Sequence, residues 1–446
     1  MKPKGLRIAI FHLGFFYSGG GEKLVFQEMR GLRKRGHEVD CFAPYVDRER
    51  CFPDVPEMRE IRALLPPPPS WLPMKDPLWV TLCCILIPFL FWRFKTYDVL
   101  LGANQPGPWF AFVISKLLRK PYVIYLAQAL RLLHPRTVDD ENGIRIREGD
   151  HRFLMSLKRT AGALINWADQ TSTRSADLVL TNGEHVGKWI RQVYGVESRV
   201  CDAGCHPIPA NDLDYSRRRT GQFLIDGTRI QKPFILLTNR HSPMKRFEYA
   251  LWALKAIVRV APQVSLVITG QETEYTDQLR YLVRGMRIEA SVHFVGLVPE
   301  RDLARLYREA AVYVYPSPEE DFGMGIVEAM AAGSPVVAWR NGGPTVTVKD
   351  RETGFLVEPY DTYDFAHRLL QLATSPDLAE RMGRAGHRRA RELFSYEQHN
   401  AKLERALLDA AHPAILHYAL PDVSDPAIAS SEPISILASE EMETSG

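Results

Sequence analysis

The feature that most constrains this chain is a repeated unit, a short apolar run followed by a glycine-punctuated turn and then by a longer helical pattern. The opening is one such unit. Residues 6–11 read as a buried strand, Gly19-Gly20-Gly21 as a tight turn, and residues 22–34 as a helix that Gly36 closes. Further strands are expected at 38–42, 99–102, 121–126 and 177–181. Runs that are apolar throughout belong to strands buried on both faces, so the pattern predicts an α/β protein built on parallel sheets covered by helices. It breaks at residues 208–221, which are polar and turn-rich, and resumes with strands at 234–238, 264–269, 292–295, 312–315 and 335–338. The 446 residues suffice for two large domains. The reading is two Rossmann-like halves, 1–207 and 222–397, joined by the linker and facing across a cleft. A last helix at 398–412 precedes a patternless tail at 413–446, expected to be disordered.

Composition removes several classes. Lys and Arg number 56 against 53 Asp and Glu, and the net charge of +3 lacks the basic excess of a dedicated nucleic-acid binder. The balance of 46% hydrophobic and 24% charged residues excludes disorder or coiled coil as the main theme. The six cysteines, at 41, 51, 83, 84, 201 and 205, form no C-x-x-C and no paired ladder, so reduced thiols in a cytosolic compartment are expected. Residues 1–5 are polar and the run 6–11 is too short for a signal-peptide core, which predicts a cytoplasmic active face.

The sharpest constellation lies at residues 317–338. It leaves a strand end, passes a loop with Glu320, Phe322, Gly323, Met324 and Gly325, and continues as a helix over 327–332 that carries Glu328. Loop amides and the positive end of a helix converge there, which suits an anion such as a diphosphate. The carboxylates sit on different elements, so one could hold a sugar hydroxyl and the other a ribose. The plainer alternative is that Glu328 faces solvent and the glycines only turn the chain.

This stretch resembles the E-x7-E signature of the retaining glycosyltransferases of family 4, which have the GT-B fold of two Rossmann-like domains. Other pieces match in order: Thr238 to Arg246, Val292 to Gly296, Asn341-Gly342-Gly343-Pro344, Thr353 to Val357 and Phe394 to Glu397. The resemblance makes the first half the acceptor side and the second the nucleotide-sugar side, with the 398–412 helix returning to the first domain. It implies transfer of a hexose from a nucleotide sugar with retention, without a metal or other cofactor. Glu320, Arg240 and Lys245 would be catalytic. Glu328, Phe322, Gly323, Met324, Gly325, Gly20 and Gly21 would bind the donor, and His12, Asn104, Gln128 and Arg131 would lie on the acceptor side. Gly19 to Lys23 is similar to the Gly-Gly-Ala-Glu-Arg of mannosyltransferases that extend lipid-linked oligosaccharides, which implies GDP-mannose and a lipid-linked or glycan acceptor. A UDP-sugar transferase, a nucleotide-sugar epimerase and a non-enzymatic membrane-surface scaffold are the alternatives.

Two positions depart from the family pattern. Val346 stands where a Glu is usual after Asn-Gly-Gly-Pro, and Ala127 stands where many relatives have a His, with Gln128 the nearest polar residue. His12, His206 and His241 lie near strand ends facing the expected cleft, but a lone His is more often structural. Asp212-Leu213-Asp214 is a formal D-x-D in the linker and reads as solvated polar residues rather than a metal site.

Residues 78–92 are apolar except for Thr81, with cations at Lys75, Arg93 and Lys95. Fifteen residues interrupted by Pro88 are short for a bilayer span. A helix apolar all round is either buried on both sides or in contact with lipid, and Trp79 and Trp92 fit an interfacial segment in one leaflet. Peripheral contact with the cytoplasmic membrane face is the expectation; a doubly buried helix or dimer interface is the alternative. Pro66 to Pro69 reads as a stiff spacer and the polar stretch 134–151 as a candidate acceptor lid.

Overall fold

The computed structural model describes residues 5–16, 19–52, 55–69, 71–72, 75–135, 162–218, 221–225 and 227–412. The expected tail at 413–446 and most of the expected lid at 134–151 lie outside these residues. The described strands form two parallel sheets and one antiparallel hairpin. The first sheet has seven strands in the order Arg62–Ala63, Glu38–Ala43, Arg7–His12, Val99–Ala103, Tyr122–Leu126, Leu178–Thr181 and Arg199–Val200. The second has six, in the order Val292–Gly296, Ser265–Thr269, Phe234–Thr238, Val312–Tyr315, Val336–Trp339 and Gly354–Val357. Central strands such as Val99–Ala103, Tyr122–Leu126 and Phe234–Thr238 are buried along their whole length, which is why their sequences do not alternate.

In both sheets the strand order reverses beside the strand of that sheet that comes first along the chain. In the first sheet Arg7–His12 pairs with Glu38–Ala43 on one side and with Val99–Ala103 on the other. In the second, Phe234–Thr238 lies between Ser265–Thr269 and Val312–Tyr315. A crevice opens at the carboxyl ends of the strands where the order reverses, so His12, Asn104, Thr238 and the loop after Tyr315 mark the cleft.

Several expectations need correction. The linker is not solvated throughout. Tyr215 and Arg218 are buried, and the Arg218 guanidinium donates to the carbonyls of Arg308, Ala332 and Gly333, fastening the linker to the second domain. A two-stranded hairpin, Gln222–Ile225 with Thr228–Gln231, follows it, a pair that the polar stretch did not suggest. Asp214 caps the turn at Ser216, and Asp212 is exposed.

The apolar segment is also longer than the sequence suggested. An α-helix over Lys75–Leu86 tightens into a 3-10 helix over Ile87–Phe94 at Pro88, and the combined 20 residues are long and apolar enough to cross a membrane by length and composition. It is buried on one side only. Cys83, Ile87 and Phe94 pack with Phe110, Ala111 and Ile114 of the Gly107–Leu118 helix. Leu78, Leu82, Ile85, Phe89 and Trp92 face outward, so among the described residues the helix is not buried on both sides. Trp79 turns inward and donates to the Pro66 carbonyl at 2.7 Å, which leaves Trp92 as the outward ring of the pair.

The last helix, Tyr396–Ala411, lies against the first helix, Gly20–Lys34. A Cβ on Gly31 would fall 2.1 Å from Asn400, so glycine there is what lets the two helices approach. Arg35 and His37 of the first domain reach Glu404, both at 2.9 Å. The chain thus crosses between domains twice, and the crossings are hydrogen bonded to each other: Cys205 N donates to Phe394 O and Tyr396 N to Cys205 O.

Candidate active site

The loop after Tyr315 brings a carboxylate, a cation and a phenol together. Lys245 Nζ donates to Glu320 Oε2 at 2.7 Å, and the Tyr315 hydroxyl donates to the same oxygen at 2.6 Å. Tyr315 is buried, and burial together with Glu320 raises its pKa well above 10, so it remains a donor. Lys245 belongs to a short 3-10 turn, Pro243–Lys245, after the strand Phe234–Thr238. Lys245 and Glu320 line a cavity of about 330 Å³ between the domains, with Gly20, Gln128 and Arg131 on one wall and Met244, Ser317, Glu319 and Asp321 on the other, and Tyr315 is buried behind it.

Glycines hold this loop in place. Asn341-Gly342-Gly343 packs directly on it: Gly343 N donates to Glu320 O at 2.7 Å and Asn341 Nδ2 to Pro318 O at 2.9 Å. A Cβ on Gly343 would lie 2.4 Å from Asp321 O and from Phe322 Cα, both backbone atoms, so no side chain fits. Gly325 sits in the first turn of the helix Met324–Ala331, where a Cβ would come 2.2 Å from the Tyr313 hydroxyl. Its absence seats the helix start over the Thr238 and Tyr313 hydroxyls, which are 2.9 Å apart.

Two helix starts therefore meet across the cleft. Gly20 opens the first helix, and a Cβ there would be 3.6 Å from Met324, the first residue of the facing helix. Gly21 looks toward Asn104 Nδ2 and His12 Nε2. Both helices point the positive ends of their dipoles into the same space, a ready setting for an anion.

Glu328 lies deeper, in the second turn of the Met324–Ala331 helix. Its Oε2 accepts from the Tyr307 hydroxyl at 3.0 Å and its Oε1 from Lys23 of the other domain at 2.9 Å. It borders a second cavity of about 300 Å³, walled by Phe26, Phe52, Ile208 and Leu303. The two carboxylates of the motif thus open on different cavities, and Glu328 is held by Lys23 and Tyr307 with its side chain 21% exposed.

The remaining residues divide. Gln128 and Arg131 reach the first cavity, and Arg131 lies 3.8 Å from Asp321 across the cleft. Asn104 Oδ1 accepts from Ala127 N, fixing the loop that carries Gln128. Arg240 is exposed on the loop leading to Lys245 and is not among the cavity-lining residues. Phe322 is 2% exposed with its ring against Phe394, so its side chain supports the loop from beneath. His12 is buried, its Nδ1 beside Gly14, and burial pushes its pKa down to about 4, leaving it neutral. His241 belongs to the core, bonded to Thr276 Oγ1 and packed on Phe247, not to the cleft. His206 borders the second cavity beside Tyr396. Glu22, buried at the start of the first helix, is pushed up to about 7 by burial, with its own amide and that of Gly19 opposing the shift.

Sequence reasoning missed Tyr315, although it ends a strand that was placed, and Tyr307, which stands on a helix, Glu300–Glu309, that was not. It also quoted Lys23 without a partner.

Comparison with known proteins gives a consistent result. The model of the family described as Glycosyltransferase Family 4 matches residues 18–201, and that of Glycosyl transferases group 1 matches residues 225–389. The chain is 27% identical over 371 residues to a D-inositol 3-phosphate glycosyltransferase of Acidothermus cellulolyticus, covering 78% of this chain and 77% of that protein. It is 25% identical over 410 residues to the alpha-1,3/1,6-mannosyltransferase ALG2 of Homo sapiens, covering 87% and 92%. Among solved structures, a sucrose-phosphate synthase from Thermosynechococcus elongatus superposes with a TM-score of 0.70 at 20% identity, covering 93% of this chain and all of that one. HepE of Anabaena, solved with UDP and glucose, gives 0.65 at 18% identity, covering 90% and 99%.

Proposed function

We infer the donor, acceptor and course of the reaction from one premise: this chain belongs to glycosyltransferase family 4 and is a transferase with the GT-B fold. It moves a hexose, mannose from GDP-mannose, to a lipid-linked or glycan acceptor. The observation that carries the transfer is the Glu320, Lys245 and Tyr315 cluster facing the start of the first helix across the 330 Å³ cavity. The likeness to a mannosyltransferase over nearly its whole length supports mannose.

In this reading the bond from the anomeric carbon to the diphosphate oxygen breaks, the acceptor oxygen bonds the same face, and the acceptor proton passes to the leaving phosphate. Negative charge grows on the diphosphate and positive charge on the sugar ring. Lys245 and the helix amides at Gly20 and Met324 take up the first, so the reaction runs without a metal ion. Glu320 faces the second and holds sugar hydroxyls, while Glu328 accepts from the ribose. Calorimetric titration in chelator with GDP, UDP and ADP, followed by turnover of the matching sugar nucleotides, tests it. GDP binding with GDP-mannose turnover is the expected result. Preference for UDP would discard mannose, and binding that requires added metal would overturn the charge assignment.

The acceptor meets the cleft at a membrane surface. Ile85, Phe89 and Trp92 are 62%, 66% and 55% exposed, and Leu164 and Trp167 of the helix at 162–174 continue the same side, since Trp167 lies against Trp109. Lys95 and Lys116 sit over the Phe91 and Phe112 rings at the margin. Apolar rings rimmed by cations suit an anionic bilayer. The protein is expected to float with vesicles containing anionic lipid, and an Ile85→Glu, Phe89→Glu double variant to lose at least tenfold in partitioning. Equal flotation of the variant would refute the surface.

A further inference from the structure

The space around Glu320 does not end at Glu319. That residue also lines a further opening of about 510 Å³, whose other walls include His185, Lys188, Trp189 and Gln192 of the helix Glu184–Tyr194 and Asn341 of the stretch packed on the Glu320 loop. The four helix residues recur at i, i+3, i+4 and i+7, so they share one face. Val186, Ile190 and Tyr194, on another face, are buried in the core of the first domain and fix the way the helix is turned. The helix start abuts the loop itself, since a Cβ on Gly183 would be 3.6 Å from Phe322. The opening is a continuation of the site, bounded by both domains.

Its chemistry differs from that of the cavity beside it. Lys245 and Gly20 are not among its lining residues, and Glu319 adds a carboxylate to Lys188, so the lining is not built for a diphosphate. It offers one aromatic ring among groups that make directional hydrogen bonds. Trp189 is partly buried, packed on the core on one side and lining the opening on the other. Asn341 gives its Nδ2 to Pro318 O at 2.9 Å, which fixes the amide and leaves its oxygen as an acceptor. Glu319 accepts, Lys188 donates and Gln192 does both. A pyranose has the matching surface, a face of C–H groups for the ring and a rim of hydroxyls that donate and accept.

We propose that this opening is a subsite for the acceptor glycan, in which Trp189 stacks on the sugar next to the one being extended while Lys188, Gln192, Glu319 and Asn341 bond its hydroxyls. The inference rests on the reading of the acceptor as a glycan. Two observations set the direction of the chain. The shared Glu319 leads from the reacting position into the opening. The helix Glu184–Tyr194 packs in the same core cluster as Cys83, Ile87 and Phe110, so it covers the same side of the first sheet as the surface assigned to the bilayer. A glycan with its reacting end at Glu320 therefore runs through the opening toward its lipid end.

The test titrates the full chain, saturated with the nucleotide it prefers, with manno- and gluco-oligosaccharides of one to three units. At least one di- or trisaccharide is expected to bind about five- to tenfold more tightly than its monosaccharide, and Trp189→Leu to lose that gain with nucleotide affinity and sugar-nucleotide hydrolysis unchanged. Trp189→Phe keeps a ring and most of the gain. Lys188→Met, at an exposed position, loses part of the gain without touching the core. The subsite is overturned if no oligosaccharide gains over its monosaccharide, if Trp189→Leu and Lys188→Met keep the gain, or if they lose it only in step with nucleotide affinity. Transfer assays separate the premise from the proposal. Equal KM for a mono- and a trisaccharide acceptor would keep the glycan acceptor and strike the subsite. Binding that grows with chain length but transfer to none of these glycans would strike the glycan acceptor, and the proposal with it.

Discussion

Glu320→Gln is expected to lower kcat for transfer by about a hundredfold or more while leaving nucleotide affinity intact or slightly higher. Glutamine keeps the size and one acceptor oxygen, so sugar hydroxyls still find a partner and KM moves little. What disappears is the negative charge facing the sugar ring as it becomes cationic. Preorganised charge of this kind contributes on the order of a hundred- to a thousandfold in comparable sites, because it acts in the transition state and costs no reorganisation. The affinity clause follows from the pairing with Lys245. At 2.7 Å the carboxylate and the ammonium neutralise one another, and removing the carboxylate frees Lys245 for the diphosphate. Steady-state kinetics with a sugar nucleotide, together with titration of the free nucleotide, separates the two effects. A variant that loses nucleotide affinity in step with kcat would place Glu320 on the nucleotide rather than on the sugar, and one with wild-type kcat would remove it from the chemistry.

The sequence carried the sheets and the motif loop for different reasons. Strands such as Tyr122–Leu126 and Phe234–Thr238 are legible because burial on both faces leaves only apolar residues, a local property. Glu320, Glu328 and Lys245 are legible because spacing and residue type together are uncommon. What stayed hidden depends on partners far along the chain. Arg218 looks like a solvated linker residue until the carbonyls at 308, 332 and 333 come into reach. Asn341-Gly342-Gly343 reads as a turn, and only its packing on Glu320 and Asp321 makes it the clamp of the loop that carries them. Residues 78–92 have no periodicity to read, and the buried face is chosen by how the helix tightens after Pro88 and meets Phe110 and Ile114. Helix and strand positions are set by local pattern, whereas the pairing of Lys23 with Glu328 is set by how two domains close, which no local pattern encodes.

The same dependence on distant partners makes His399→Leu the variant with the largest expected effect on stability. His399 lies on the terminal helix, wholly buried, with its Nε2 3.2 Å from Glu28 Oε1 of the first helix and its Nδ1 2.8 Å from the Asp202 carbonyl and 3.5 Å from Cys201 Sγ. Burial alone disfavours the imidazolium, but the Cys201 sulfur and the Glu28 carboxylate outweigh it and raise the pKa well above 6.5. Leucine would leave Glu28 buried without its counter-charge, and breaking a buried pair from one side costs about 3–5 kcal/mol. A melting temperature lowered by about 3–5 °C is expected for a protein of this size. The pH dependence follows from the direction of the shift. A His whose folded pKa exceeds its unfolded value contributes its full stability below about pH 6.5, and the contribution fades as pH rises through the folded value. The wild-type melting temperature should therefore fall with pH above 6.5 more steeply than that of His399→Leu, so the gap between them narrows in alkali. Glu28→Gln should reproduce the flatter profile, because it removes a charge that holds the proton on His399. Parallel profiles for wild type and both variants would show that the pair is held neutral, and would leave the terminal helix fastened by the packing at Gly31 and Asn400 and by the bonds of Arg35 and His37 to Glu404.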